Sequence, residues 1–590
     1  MLRLPRPILV LLLVAVAAIA VVPLVGERFH VQLVTQMMVL AIFAMSLDLL
    51  VGFTGLVSFG HAAFYGLAGY ALAILTRDAG LTSMAVTLPL TLVACGLAAL
   101  AIGALAIRTA GIYFIMVTLA FAQMVYFFFN DARDYGGSDG LAIYTKPQLA
   151  FGETMLLSLQ NRTTFFYVTL AALVATFCFL RALLRSPFGH VITAICVNEA
   201  RTRALGFPVA RYKLASFVIA GVLAGLAGYL GAAQFGIVNP AHLGWRESGR
   251  ALMVVILGGT GTLFGPALGA FVFLLLEDVL SGLTEHWLLL MGGFVIAVVL
   301  LLPNGIAGAL LRVARVPPSA GEGARSRPDA PALRVVASND APILETEGLG
   351  KRFAGLVAVN YVSLSFASGK VHAVIGPNGA GKTTFINLLS GELPPTTGSI
   401  RFKGKDITGF SPDARSRLGI GRSFQITNLY PSLSCLQNCW VAAQSRQSSS
   451  MRFFRAAARL DDVRARAECA LTRCGLAERS DDLASTLSHG ERRRLEIAMV
   501  LATEPELLLL DEPLAGLGAQ ESREVVELLA GLARDHTLIL IEHDMDAVFA
   551  IADTLTVLVN GEVIATGPVQ QVRSDPAVQQ AYLGHEEAAA

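Results

Sequence analysis

Charge is scarce in this sequence. Of its 590 residues only 15% are Asp, Glu, Lys or Arg, against 54% hydrophobic, and the mean hydropathy is +0.61. Soluble domains carry roughly a quarter charged residues, so much of this chain belongs in lipid. An excess of either sign is also lacking. The formal net charge is +1, far from the strong basic balance of a duplex binder, and nucleic acid is not expected as a partner. Cysteine is sparse and scattered. The closest pairs, Cys435/Cys439 and Cys469/Cys474, have no flanking Cys or His at zinc-site spacing and read as reduced, structurally neutral thiols.

What is present divides sharply along the chain. Residues 1–313 are a succession of long apolar stretches, whereas 343–590 alternate charged and apolar segments as a soluble domain does. Between them, 314–342 contains PPSAGEGARSRPDAPALRVVASNDAP, whose Pro, Gly, Ser and charge content reads as a flexible linker. Apolar runs near 8–25, 31–51, 56–75, 82–105, 111–130, 164–184, 212–232 and 286–302 each approach the ~20 residues that a helix needs to cross hydrocarbon. The stretch 249–280 is broken by GGTGTLFGP and is expected as a hairpin of two shorter segments that re-enters without net crossing. Basic residues concentrate in cytoplasmic loops. The loop 181–213 has Arg181, Arg185, Arg201, Arg203, Arg211 and Lys213 against Glu199 and faces the cytoplasm, while the mixed segment 131–162 suits the outside. Starting inside at Arg3 and Arg6, eight crossings satisfy both and deliver the soluble half to the cytoplasm. The first run has the basic start and apolar core of a signal peptide, but the next apolar run follows within a few residues, which favours a retained helix.

The soluble half opens its chemistry with VHAVIGPNGAGKTTFINLLSG. An apolar strand precedes Gly376, Pro377, Asn378, Gly379, Ala380, Gly381, Lys382, Thr383 and Thr384, and an apolar-periodic helix follows. This is the phosphate-loop pattern in strand-loop-helix context. Its glycines let backbone N–H groups approach phosphates at a helix N-terminus, Lys382 reaches the β and γ oxygens, and Thr383 ligates magnesium. Further on, the apolar strand 507–510 ends in Asp511, Glu512 and Pro513. Asp511 suits the magnesium shell and Glu512 the polarisation of an attacking water. ATP and Mg2+ are the implied ligands.

LSHGERRRLEIA, at 487–498, resembles the signature motif of the ABC ATPases. Together with the apolar runs of the first half, the resemblance implies a polytopic α-helical membrane domain fused to an α/β P-loop ABC ATPase domain with a helical subdomain near 425–500. It further implies that Gln425 in RSFQ senses the γ-phosphate, joins the magnesium shell and meets the permease, and that His543 in IEHDM is the switch histidine. Phe353 would lie against adenine with Val359 packing nearby. Two such domains dimerise head to tail, so Ser488 and Gly490 would complete the site of a second ATPase. Glu491 stands where this subfamily often has Gln, which puts little in doubt; Gly518 in AGLG stands where a carboxylate or amide is common, which puts communication between the two ATP sites in doubt.

Both halves narrow the resemblance. DLLVGFTGLVSFGHAAFYGLAGY, YGGSDGL, NEARTRALGFPVARYKLASFVIAG and LLPNGIAG are similar to the permease of branched-chain (hydrophobic) amino acid importers. GEVIATGPVQQVRSDPAVQQAYLG resembles that system's ATPase. Such subunits are usually separate, so the fusion is a departure. A second permease, a second ATPase and an extracytoplasmic solute-binding protein are implied partners, with membrane lipid around the first half in the inner membrane. Importers of urea, short amides or aromatic and organic acids fit the same residues; an ABC exporter or ATP-gated channel would pair the motor with a different membrane pattern. Within the basic loop, Glu199, Ala200 and Gly206 bound a short helical pattern expected to couple the permease to the ATPase near Gln425, the alternative being a plain topology loop. Asp48 and His61 are ionisable groups inside apolar runs and candidates for the solute path. Glycines such as Gly52, Gly60, Gly258 and Gly261 fit either broken helices around a solute or close helix packing.

Overall fold

The computed structural model describes residues 6–151, 154–313 and 342–580. The chain divides into two compact units. The first gathers the chain up to Cys196, the segment from Ala210 and the short stretch Met451–Ala456; the second gathers Val197–Val209 with the cassette segments that end at Ser450 and resume at Ala457. The expected linker 314–342 lies outside the described residues except for Pro342, which opens the strand Pro342–Phe353.

The first unit is mainly helical, with two small two-stranded sheets. Among the described residues, seven of its helices are long and apolar enough to span a bilayer: Pro7–Val25, Arg28–Val51, Met84–Ala106, Ile112–Asp131, Arg162–Arg185, Val209–Phe235 and Gly265–Leu283. An eighth candidate, Trp287–Leu301 with Gly305–Arg312, bends by 41° where Pro303 removes a backbone donor. Arg28–Val51 is the central helix, with 83% of its apolar window enclosed against 6% for Pro7–Val25.

Two expectations change. The run 56–75 yields only the helix Ala62–Arg77, of 16 residues, because 54–61 forms an irregular turn. Gly55 takes φ +75 there, and Gly60 lies so near another helix that a Cβ would meet Thr118 O at 2.4 Å. The hairpin breaks where GGTGTLFGP stands, with positive φ at Gly259, Gly261 and Leu263, but its second limb, Gly265–Leu283, has 19 residues and is long enough to cross. The limbs approach closely, since a Cβ on Gly269 would meet Val254 O at 2.2 Å. These glycines act as close-packing points.

Among its described residues the second unit has two sheets. A mainly parallel one runs Ile420–Arg422, Leu507–Asp511, Thr537–Ile541, Val371–Ile375, Thr554–Val559 and Glu562–Pro568, the last pair antiparallel. Leu507–Asp511, Thr537–Ile541 and Val371–Ile375 are buried at every residue, as central strands covered on both faces must be. An antiparallel sheet joins Leu356–Ala367, Pro342–Phe353, Thr397–Phe402 and Lys405–Asp406. Helices Cys435–Gln444, Asp461–Arg473 and His489–Leu501 pack together in the region expected to be a helical subdomain. Ser434 and Ser488 start the first and third of these with reciprocal capping boxes.

Candidate nucleotide site

Three parallel strands deliver the site from their C-terminal ends, where open α/β sheets bind ligands. Ile375 leads into the phosphate loop, Leu510 into Asp511, and Ile541 into Glu542. The register pairs Asp511 with Ile541 and Ile541 with Val374, so the acidic strand end and the loop lie one strand apart.

The loop folds around its own lysine. Lys382 Nζ donates to Gly376 O at 2.7 Å and Pro377 O at 3.1 Å, leaving one donor. Burial pulls its ammonium below the usual lysine range, while Glu512 and Asp511 oppose that shift. Gly381 takes φ +94, and a Cβ there would meet Ala358 O at 2.2 Å, so only glycine fits. Asn378, Gly379 and Thr383 are exposed, Thr384 is half-buried and Ala380 is buried.

Asp511 is 1% exposed, and its Oδ1 has no hydrogen-bond partner among the described residues. Burial pushes its carboxyl above the ordinary value against the pull of Arg422. A buried carboxylate oxygen without a protein partner fits a divalent cation. Among the described residues no three acidic, His or Cys groups cluster, so a magnesium ion here would keep water and phosphate in its shell. Glu512 follows at φ +45, a conformation that costs a non-glycine residue about 1–3 kcal/mol. Its N–H donates to Ile541 O at 2.9 Å, and its Oε2 accepts from Gln425 Nε2 at 3.0 Å. The structure thus joins Gln425 and Glu512.

His543 is exposed, its ring 3.8 Å from Glu542 Oε2. Glu542, absent from the sequence expectations, is fully buried. It accepts from Leu514 N at 2.8 Å and His543 N at 3.2 Å, tying the histidine loop to the turn after Glu512; burial raises its carboxyl above the ordinary range.

Phe353 is 41% exposed at its strand end and Val359 fully buried in the core, so the first presents a ring face and the second packs inward. Ser488 and Gly490 begin the helix His489–Leu501. Glu491 Oε2 accepts from Ser488 N at 2.9 Å, so the acid at this position serves the capping box that Gln would. Gly518 leaves the helix Ala519–Leu532 without a side-chain cap. One residue of that helix was not foreseen at all. Glu521 Oε1 accepts from Gly490 N at 3.1 Å and Ser488 Oγ at 3.3 Å, and these bonds, the backbone one first, hold its carboxyl below the usual range.

Residues 29–302 match the family described as branched-chain amino acid transport system / permease component, 359–515 match ABC transporter, and 562–588 match branched-chain amino acid ATP-binding cassette transporter. The high-affinity branched-chain amino acid transport ATP-binding protein LivG of Salmonella typhimurium is 40% identical over 253 residues, covering 41% of this chain and 98% of the relative. The chain belongs to the branched-chain amino acid ABC transporter family. BraF of Pseudomonas aeruginosa, another protein of that description, is 40% identical over 250 residues, covering 41% of this chain and 98% of its own length. A crystal structure of a nucleotide-free ATP-binding cassette from an ABC transporter aligns at 31% identity and TM-score 0.37, over 41% of this chain and 98% of that one. This ABC transporter chain joins in one polypeptide a permease component and an ATP-binding, ATP-hydrolysing cassette; it is a multi-pass inner-membrane protein with a cytoplasmic ATPase.

Other expected residues are placed as follows. Asn198 caps the short helix Glu199–Ala204 by accepting from Arg201 N at 3.0 Å. Glu199 pairs with Arg203 at 2.7 Å, Ala200 is exposed, and Gly206 O accepts from Arg417 Nε at 2.8 Å. Asp48 and His61 are buried in helix packing. Asp48 Oδ1 accepts from Gly261 N at 2.8 Å, pinning the hairpin turn, while His61 Nε2 bonds Ser46 Oγ at 2.8 Å and stacks on Phe43.

Proposed function

We propose that this chain drives ATP-dependent inward transport of branched-chain or other hydrophobic amino acids. Residues 1–313 serve as one permease, 314–342 as a linker and 343–590 as one ATPase. A second permease, a second cassette and an extracytoplasmic binding protein complete the assembly. The observation that carries this reading is the coincidence, in one chain, of a permease match over 29–302 and cassette relatives named for branched-chain amino acid transport.

On this reading Lys382 and the N–H groups of 379–384 cradle the phosphates and Phe353 faces the adenine. Asp511, Thr383 and Gln425 would hold Mg2+, which neutralises phosphate charge when bound. Glu512 accepts a proton from the attacking water as the water oxygen bonds to the γ-phosphorus and the bridging oxygen departs with ADP. Gln425 orients that carboxylate through its Nε2 bond, and His543 stabilises charge on the γ-phosphate. Ser488 and Gly490 act on nucleotide held by the second cassette. Glu199, Ala200 and Gly206 belong to the segment that transmits closure to the membrane helices; Asp48 and His61 are the candidates for the solute path, held within the helix packing.

The test is uptake of radiolabelled leucine into proteoliposomes carrying the assembled complex, its binding protein and ATP. Glu512→Gln is expected to bind ATP normally and lose at least about 100-fold in hydrolysis, with uptake abolished. Hydrolysis without leucine movement in the native complex would redirect the substrate to urea, amides or organic acids.

A further inference from the structure

The segment Val197–Val209 falls in the same compact unit as the cassette, and one side chain in it is anomalous. Arg201 is fully buried. Its Nη1 donates to Arg422 O at 3.2 Å and its Nη2 to Glu496 O at 3.0 Å, with the guanidinium 3.6 Å from Glu496 Oε1. Glu496 is buried as well and serves two further partners: Oε1 accepts from Phe424 N at 2.9 Å, and Oε2 from Arg493 Nη1 at 2.7 Å. Arg493 reaches the hydrolysis centre. It donates to Phe424 O at 2.6 Å, to Asp511 O at 2.9 Å and to Pro513 O at 3.0 Å. Those last two carbonyls flank Glu512, and Phe424 precedes Gln425, which bonds Glu512 directly.

One carboxylate thus gathers four elements: the segment bearing Arg201, the loop bearing Gln425, the helix of Ser488 and Gly490, and the strand end bearing Glu512. In a low-dielectric interior such a network has no water to fall back on, so loss of one charge disturbs every neighbour. The phosphate loop is not among its members.

We infer that Glu496 is a positioning residue through which Arg201 sets the placement of Gln425 and Glu512, so that Val197–Val209 controls the hydrolytic step and leaves nucleotide affinity alone. This rests on the proposed role of Glu512. The network carries the control through two arms of the same carboxylate: Phe424 N–H on one side, Arg493 on the other.

The test measures kcat and KM for ATP on the complex purified from membranes through the full-length chain and placed in lipid nanodiscs. Glu496→Gln and Arg201→Met are each expected to lower kcat about tenfold with KM within twofold, and the double variant to be no slower than the slower single. Arg201→Lys, which keeps the charge with fewer donors, should recover part of the rate. Unchanged kcat, losses that multiply in the double variant, or KM rising in step with the fall in kcat would overturn the inference. Arg201 lies outside the cassette's own stretch of sequence, so its variants decide the matter if Glu496→Gln does not fold. Glu512→Gln in the same preparation separates the two readings. Retained hydrolysis there removes Glu512 from its role, whereas its loss alongside unaffected Arg201 and Glu496 variants removes the relay alone.

Discussion

Arg415 offers a quantitative handle on what holds the phosphate-loop helix. Its side chain, 1% exposed, donates from Nη1 to Leu388 O at 2.7 Å and Leu389 O at 2.8 Å, from Nη2 to Thr408 O at 2.9 Å and from Nε to Phe410 O at 3.1 Å. The first two carbonyls lie in the last turn of Lys382–Ser390, where the helix dipole favours a cation. Burial pulls the guanidinium pKa down to about 10, so it is still charged at neutral pH. Bonds to a charged donor are each worth about 1.5–3 kcal/mol, giving a gross loss of about 6–12 kcal/mol in Arg415→Met. Relief of guanidinium desolvation and the apolar fit of Met offset part of this, leaving about 4 kcal/mol. For a unit of 150–250 residues, about 2–4 °C per kcal/mol converts that into a fall of about 8–16 °C. Calorimetry of the full-length chain should read it in the transition that rises when ATP is added, since ATP stabilises only the unit that binds it. A fall below about 3 °C would refute the reasoning, because the four carbonyls would then be indifferent to their donor.

Gly381→Ala forces a side chain into φ +94 against Ala358 O, and about 2 kcal/mol of strain predicts roughly 30-fold weaker ATP binding; titration with a fluorescent nucleotide checks it, and a change under threefold contradicts it. Asp511 and Glu542 have folded-state carboxyl pKa values raised by burial, so on acidification they take up protons before the unfolded chain does. Their contribution to stability therefore becomes more favourable as pH falls towards the ordinary carboxylate range. Meanwhile the Mg2+ concentration needed for half-maximal hydrolysis should rise as pH falls towards the ordinary carboxylate range, about 4; a Mg2+ requirement that stays flat down to that range would exclude Asp511 from the metal shell. Gly269→Val should separate the hairpin limbs, because even a Cβ there meets Val254 O at 2.2 Å. A lowered aggregation temperature of the detergent-solubilised chain reports it, and an unchanged one argues against tight packing.

The phosphate loop and the Asp511–Glu512 strand end were legible because their signal is local: each is a contiguous run whose backbone conformation and side-chain order carry the chemistry. Membrane helices were legible from hydropathy for the same reason, down to the position of the break at 259–264. Limb lengths were not, since apolar residues continue past that break to Leu283 and the turn at 54–61 depends on contact with Thr118, far along the chain. The burial of Arg201, Glu496, Arg415 and Glu542 was not legible because a charged residue in a sequence looks solvated. Arg201 and Glu496 stand 295 positions apart, and nothing local in NEARTRALG or RRRLEIA says that either is buried.

Glu521 changes the terms on which the start of the helix His489–Leu501 meets an anion. The N–H of Gly490 and the hydroxyl of Ser488 are engaged by a carboxylate of the same chain, so any newcomer takes part in an exchange rather than filling a vacant cradle. The free energy of such an exchange is a difference between two anions competing for the same donors. A singly charged visitor offers these donors no more than Glu521 does, while a polyphosphate terminus brings more charge and more acceptor oxygens to the exchange. Selectivity for a highly charged ligand then arises from what must be displaced, before any contact with the ligand itself is counted.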